Sequence, residues 1–172
     1  MKIYVAAPFA ARDLALGIAT QLTTAGHECT SSWILSTRPI TPTALGPSPD
    51  TTDEDCLRHA LGDLDDVRRA DALLHVTAEW ALDHGVPDHR LHTGGRHIEF
   101  GVALALGKFI VSLGEPENIF QRALSRQVRD VDAAIVVLEA MEYQKRQQIA
   151  MTEMGLARLK VDYHHSLEPL ME

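Results

Sequence analysis

The sequence predicts an α/β fold, doubly wound around a mainly parallel sheet of about five strands with helices on both faces. Two observations carry this. Short apolar runs closed by Pro, Gly or Asp alternate with longer segments whose apolar residues recur at helical spacing. Strands that alternate with helices are joined by crossovers, which makes them parallel. A third observation sets the size: 172 residues suit one domain and can bury a core without staples.

The elements follow in order. Ile3-Tyr4-Val5-Ala6-Ala7 is apolar and stops at Pro8, which predicts the first strand. The run from Ile3 to Ala11 could pass for a signal-peptide core, but Pro8 interrupts it and Arg12 and Asp13 follow at once, so a buried strand explains it better. Leu14, Ile18, Leu22 and Ala25 place a helix over Asp13 to Ala25, and Gly26 stops it. The β-branched and aromatic content of Cys29 to Leu35 predicts strand two. Ser36 to Asp50, with Pro39, Pro42, Pro47 and Pro49, predicts a long loop. Thr52, with Asp55 three residues on, caps a helix whose stripe is Leu57, Ala60, Leu61, Leu64 and Val67.

Ala72 to Thr77 predicts the next strand, and Glu79 to Thr93 a second loop. Gly94-Gly95 opens a helix that runs to about Leu106, where Gly107 closes it. Phe109 to Leu113 is the fourth strand, Pro116 to Leu124 a short Pro-started segment, and Gln127 to Val131 a fifth strand. Asp132 to about Lys160 predicts one long helix, with Gly155 a candidate kink, and the last dozen residues a tail. Ile135, Val136, Leu138, Met141, Ile149 and Met154 form a stripe that either docks on the sheet or builds a subunit interface.

Bulk properties narrow the function. The net charge is −8 and no Lys or Arg run stands out, which argues against a nucleic-acid or anionic-membrane surface. A small anion remains compatible, since clustered backbone N–H groups bind one against the global field. Cys29 and Cys56 have neither scaffold nor zinc spacing, and two reduced thiols suit a cytoplasmic protein. No apolar run approaches the roughly 20 residues of a membrane span.

Ligands of open α/β sheets bind beyond the carboxyl ends of the strands. Three segments lie there: Ala7 to Arg12, Glu79 to Thr93, and Gly114 to Phe120. The Thr93-Gly94-Gly95-Arg96 turn also starts a helix, whose free N–H groups and dipole favour an anion. A tight turn alone would also explain two glycines. Glu99, one turn further in, is a carboxylate that the helix N-terminus would hold ionised, as a nucleophile or base requires; an ordinary Glu serving the dipole is the plainer alternative. His84, His89, His92 and His97, with Asp83 and Asp88, follow no standard metal spacing on a flexible loop, so no metal and no cofactor is expected. Trp33 and Trp80 could stack on a base, though packing is the commoner fate of a Trp.

The run from Thr93 through Glu99-Phe100-Gly101-Val102-Ala103 to Gly107-Lys108 resembles the signature of the nucleoside 2-deoxyribosyltransferase family. Lys2 to Phe9 resembles that family's first strand, Asp63 to Asp71 its middle, and Pro116-Glu117-Asn118-Ile119-Phe120 the segment after its fourth strand. The similarity covers about residues 1 to 120 in the right order. It implies a flavodoxin/Rossmann-like domain over 1–160 with a tail over 161–172. It further implies that Glu99 attacks the anomeric carbon of a nucleoside or nucleotide, Asp63 protonates the departing base, Tyr4 orients Glu99, and Asn118 reaches a neighbouring subunit's site in a homodimer or larger oligomer. Phe9 is counted with the substrate-binding residues. Three solvated acids on one helix (Asp63, Asp65 and Asp66) are the plainer reading of Asp63.

One departure concerns the sugar's 5′ end. Where the transferases carry an Asp six residues before the catalytic Glu, this chain has Thr93. A hydroxyl there resembles the related 2′-deoxynucleoside 5′-phosphate N-hydrolases. Thr93, the Gly94 and Gly95 amides and Arg96 would then make a phosphate nest. Asn118, by contrast, resembles the nucleoside-using members, so the resemblance leans towards a 5′-monophosphate without deciding it, and it leaves hydrolysis and transfer both open. A non-catalytic nucleotide-binding or sensing domain on the same fold is the alternative.

Overall fold

Five strands pair in parallel in the computed structural model, which describes residues 1–35, 42–43, 46–47, 51–87, 91 and 94–167, with the backbone alone at 42–43, 46–47 and 155–167. The strands are β1 (Lys2–Ala6), β2 (Glu28–Cys29), β5 (Ala72–Val76), β6 (Phe109–Leu113) and β7 (Arg126–Val128). Their order across the sheet is β2-β1-β5-β6-β7, with Tyr4 beside Leu73 and Leu73 beside Ile110. This is the doubly wound, flavodoxin-like order that reverses direction at β1. β1, β5 and β6 are buried almost throughout, which is why they read as continuous apolar runs rather than alternating ones. A separate two-residue antiparallel pair, β3 (Pro42–Thr43) and β4 (Gly46–Pro47), interrupts the predicted Pro-rich loop.

The helices are α1 (Arg12–Thr24), α2 (Ser32–Leu35), α3 (Asp53–Arg69), α4 (Ala78–Asp83), α5 (Gly95–Ala105), α6 (Ile119–Leu124) and α7 (Val131–Leu167). α3 and α5 pack together and on β1, whereas α1 and the first turn of α7 share a groove lined by Asp13, Gln21, Asp130 and Asp132. The β1–α1–β2 crossover runs toward one edge of the sheet and the β2–α3–β5 and β5–α5–β6 crossovers run toward the other, so their common right-handedness puts α1 on the face opposite to α3 and α5.

The chain forms two compact units, Met1–Val137 and Leu138–Glu172. The first holds the sheet and the site described below. The second is the continuation of α7, helical through Gly155 and on to Leu167, past the predicted end at Lys160. Ile149 and Met154 on it are exposed.

Further elements differ from expectation. The predicted fifth strand Gln127 to Val131 is Arg126–Val128, and Val131 already opens α7, where the Asp130 carboxylate accepts from Ala133 N at 2.8 Å. The predicted strand Cys29 to Leu35 stops after Cys29, and Ser32–Leu35 is a helical turn. The Ser31 hydroxyl accepts from the Val5 N–H at 2.6 Å and donates to the Val5 carbonyl at 3.3 Å, and Trp33 Nε1 donates to the same carbonyl at 3.1 Å. Side chains thus take the partners that a strand backbone would have used. The predicted loop after β5 contains α4, capped by Thr77, whose hydroxyl accepts from Trp80 N at 3.3 Å. The α3 stripe is only half used: Val67 is fully buried while Leu57 and Leu61 are 60% and 57% exposed. Thr52 caps α3 as predicted, accepting from Asp55 N.

Candidate active site

Tyr4 projects from β1 and is completely buried. Its hydroxyl donates to Glu99 Oε1 at 2.7 Å, joining two residues 95 positions apart. Burial, then the Glu99 and Asp63 charges, push the phenol well above its ordinary range. Tyr4 is therefore a permanent donor aimed at the carboxyl group of Glu99.

Glu99 is not held ionised as its place in the helix suggested. Burial pushes its carboxyl up to about 8; the Tyr4 hydrogen bond and the Arg96 charge pull it down, and the Asp63 charge adds to the rise. Gly95 is the first helical residue, so Glu99 already lies in the second turn, where the dipole has faded and desolvation wins. Asp63, in the second half of α3, is raised to about 6 by burial and then by the Asp66 charge. The acid-rich stretch is thus split by depth. Asp63 is half-buried, Asp65 is exposed in an ion pair with Arg69, and Asp66 is buried, accepting from Ser32 N at 2.7 Å and from the Arg69 guanidinium.

Gly94 and Gly95 are exposed at the start of α5. Gly94 has an ordinary φ of −73°, and a Cβ added at either position would meet nothing within 4 Å. The turn itself therefore does not require glycine, and the open space lies outside it, where an incoming group would approach the first N–H groups. Thr93 lies outside the described residues. Arg96 does not reach back over this turn as a phosphate ligand would. Its guanidinium is buried, donating to the Leu91 carbonyl at 2.8 Å and to Glu117 Oε1 at 2.6 Å.

Asn118 caps α6, its Oδ1 accepting from Phe120 N and Gln121 N at 3.0 Å each. Phe9 stands in a 3-10 turn after β1 with its ring 6.0 Å from that of Trp33. Trp33 and Trp80 are both buried, and each indole N–H is used on a carbonyl, which makes them packing residues.

The sequence reading missed a polar cluster beside this site. His75 on β5, His97 on α5 and Glu117 before α6 bring ligand-type atoms within 4.8 Å of one another. Gln121 Nε2 lies 3.4, 3.3 and 3.2 Å from His75 Nε2, His97 Nδ1 and Glu117 Oε2. These three residues could hold a metal only by moving that amide and by placing a cation beside the Arg96 guanidinium. Desolvation pushes His75 down to about 3, so it is neutral. The signal that could have found the cluster is a histidine inside the otherwise apolar strand Ala72–Val76. His84, one of the loop histidines, stacks on Trp80 instead, and His89 and His92 lie outside the described residues.

No family model matches the chain, and no curated protein matches it. Among solved structures, a 2-deoxyribosyltransferase from the psychrotolerant bacterium Bacillus psychrosaccharolyticus superposes with a TM-score of 0.54 at 19% identity, over 78% of this chain and 90% of that one. The chain has the fold of that transferase. The CMP N-glycosidase BcmB of Clostridium botulinum is also similar, with a TM-score of 0.45 at 17% identity over 81% of this chain and 99% of that one.

Proposed function

We propose that this chain breaks the N-glycosidic bond of a nucleoside or nucleotide, with Glu99 as nucleophile. The observation that carries the reading is the part-buried Tyr4–Glu99 hydrogen bond with a second raised carboxyl, Asp63, close enough to shift both partners. A binding site needs no such pair; a displacement at an anomeric carbon does. The fold is shared with a 2-deoxyribosyltransferase.

The reaction starts from the form in which the proton of the pair is on Asp63 and Glu99 is ionised. In the first step the Glu99 oxygen not hydrogen-bonded to Tyr4 bonds to the anomeric carbon and the C–N electron pair leaves with the base. The Asp63 proton goes to that base. Tyr4 keeps its proton and stabilises the carboxylate through Oε1. In the second step water, or a second base, attacks the glycosyl ester, Asp63 takes the incoming proton, and Glu99 is released. The sugar's 5′ end lies at the Gly94–Gly95 turn, where free amides and Thr93 favour a monophosphate over a carboxylate-lined nucleoside site. Phe9 belongs to the substrate-binding residues. Asn118 completes the site of a second copy: Ile119 and Phe120 beside it are 74% and 59% exposed, as an interface would leave them in a single chain. Among the described residues no helix is long and apolar enough to cross a membrane. A cytoplasmic enzyme is the reading that Cys29 and Cys56, both free, fit.

The test is incubation with a panel of nucleosides and their monophosphates, with chromatographic detection of free base. Base release, faster from monophosphates, supports the reading. One observation favours a nucleotide-sensing domain instead: with Glu99 raised to about 8, much of it is protonated at neutral pH. Tight binding without any released base would decide for the sensor.

A further inference from the structure

We propose that Glu117 is a positioning residue of this site, acting through Arg96, whose guanidinium it locks in the first turn of α5, three residues before Glu99. The inference rests on the catalytic reading above and adds a residue to it.

Glu117 ties together four elements. Its Oε1 accepts from Arg96 Nη2 at 2.6 Å and from the first N–H of α4, Ala78, at 2.9 Å. Its Oε2 accepts from Gln121 Nε2 of α6 at 3.2 Å and lies 3.9 Å from His75 Nε2 of β5. His97 Nε2 of α5 lies at 3.8 Å. Gln121 Oε1 in turn accepts from Glu117 N at 2.7 Å, so the segment carrying the carboxylate is itself fixed. A carboxylate with this many donors sits in one orientation. Burial works against its charge, yet the Arg96 and Ala78 hydrogen bonds prevail and keep it ionised.

Arg96 is the arm through which this reaches the reacting group. It is 5% exposed, and between Glu117 and the Leu91 carbonyl its planar guanidinium is held at two nitrogens. Arg96 lies three residues before Glu99 on the same helix, so one turn separates them. The groups that face Glu99 are Tyr4 from β1, Asp63 from α3 and Arg96 from α5 itself. Of these Arg96 supplies the favourable full charge, opposing both burial and Asp63. Fixing it fixes the first turn of α5, including the Gly94–Gly95 opening, and keeps part of Glu99 ionised. Small misplacements of a reacting group have large effects on rate.

An ordinary structural ion pair would look similar, so the variant must remove the pair without wrecking the fold. Replacing a buried pair by apolar residues of similar volume is often tolerated where removing one partner is not. The experiment uses Arg96→Met/Glu117→Leu in the full chain, with Leu22→Ala, a buried α1 change remote from the cluster, as a control for lost stability. Two quantities are read: base release as kcat and KM, and the titration of the Glu99 carboxyl by NMR of 13C-labelled Glu. We expect kcat to fall about thirtyfold with KM little changed, and the Glu99 titration to move upward, since the Arg96 charge is among those that hold it down. Leu22→Ala should move neither. A folded double variant with wild-type kcat and wild-type titration overturns the proposal. Should the double variant not fold, Glu117→Asp keeps the charge but is too short to span Ala78 N and Arg96 together, and wild-type kcat in that protein overturns the proposal equally. A wild type that releases no base overturns the catalytic reading instead, and the titration alone then decides whether Glu117 acts on Glu99.

Discussion

Asp63 and Glu99 divide the chemistry only if one carries a proton while the other does not. Replacing Asp63 by Asn keeps its size and removes the acid. A natural base leaves poorly without a proton, whereas an activated leaving group needs none. Asp63→Asn should therefore slow release of a natural base by about 10²–10⁴-fold and an activated analogue far less. Equal losses on both substrates would make Asp63 an orienting residue. The pH profile follows from the same pair. With carboxyls near 6 and 8, both are protonated on the acid side, where attack fails. Both are ionised on the alkaline side, where no acid remains. The active form carries one proton, held by Asp63. Between the limbs most of that proton rests on Glu99, so the reactive species is the minor one-proton form. The kcat/KM profile should still be bell-shaped with limbs near 6 and 8 that belong to the pair. A rate still climbing above pH 9 would show that no acid in the site is needed.

Tyr4, Asp63 and Glu99 could be singled out in the sequence through the family resemblance, which aligns the first apolar strand, the acid-rich helix and the helix after the double glycine. Their protonation was not legible there. Position in a helix predicted an ionised Glu99, but the depth of the site overrides the dipole, and depth is a property of packing. The role of Arg96 was misjudged for the same reason. Its partner Glu117 is 21 residues away, and no local pattern announces their meeting.

Among the elements, long apolar runs and capped helices were legible, and short elements were not. β1, β5 and β6 announce themselves because both of their faces are covered. Trp33-Ile34-Leu35 has strand-forming composition, yet the Ser31 hydroxyl captures the Val5 backbone and the chain turns into α2. α4 is six residues long, too short to show a period. Its seat can be tested through Gly114, which follows β6 with φ +87°. A Cβ there would meet Thr77 Oγ1 at 2.5 Å and Trp80 Cβ at 2.8 Å, at the cap and first turn of α4. Gly114→Ala should cost more than about 2 kcal/mol in urea unfolding. Gly17→Ala in α1, where nothing lies within 4 Å, should instead stabilise by about 0.5–1 kcal/mol. Similar effects from the two would mean that the β6–α4 contact is looser than described.

For the molecule as a whole, the strand order β2-β1-β5-β6-β7 follows from alternating elements and right-handed crossovers, and was legible as a class. Which surfaces meet another copy was not, because an exposed Ile119 or Phe120 reads in sequence like any core residue. If Asn118 serves a neighbour's site, the active species is at least a dimer. Light scattering at assay concentration should then give about twice the chain mass, and a fully active monomer would confine the site to one chain.

The comparison of Glu99→Gln with wild type in base release from a nucleoside 5′-monophosphate bears most directly on the proposed chemistry. Both proteins should fold alike, since an amide can still accept from Tyr4. Wild type should release free base, and Glu99→Gln should fall by several orders of magnitude, as loss of a nucleophile does. Near-normal base release by a folded Glu99→Gln protein would contradict the assignment of Glu99 as nucleophile.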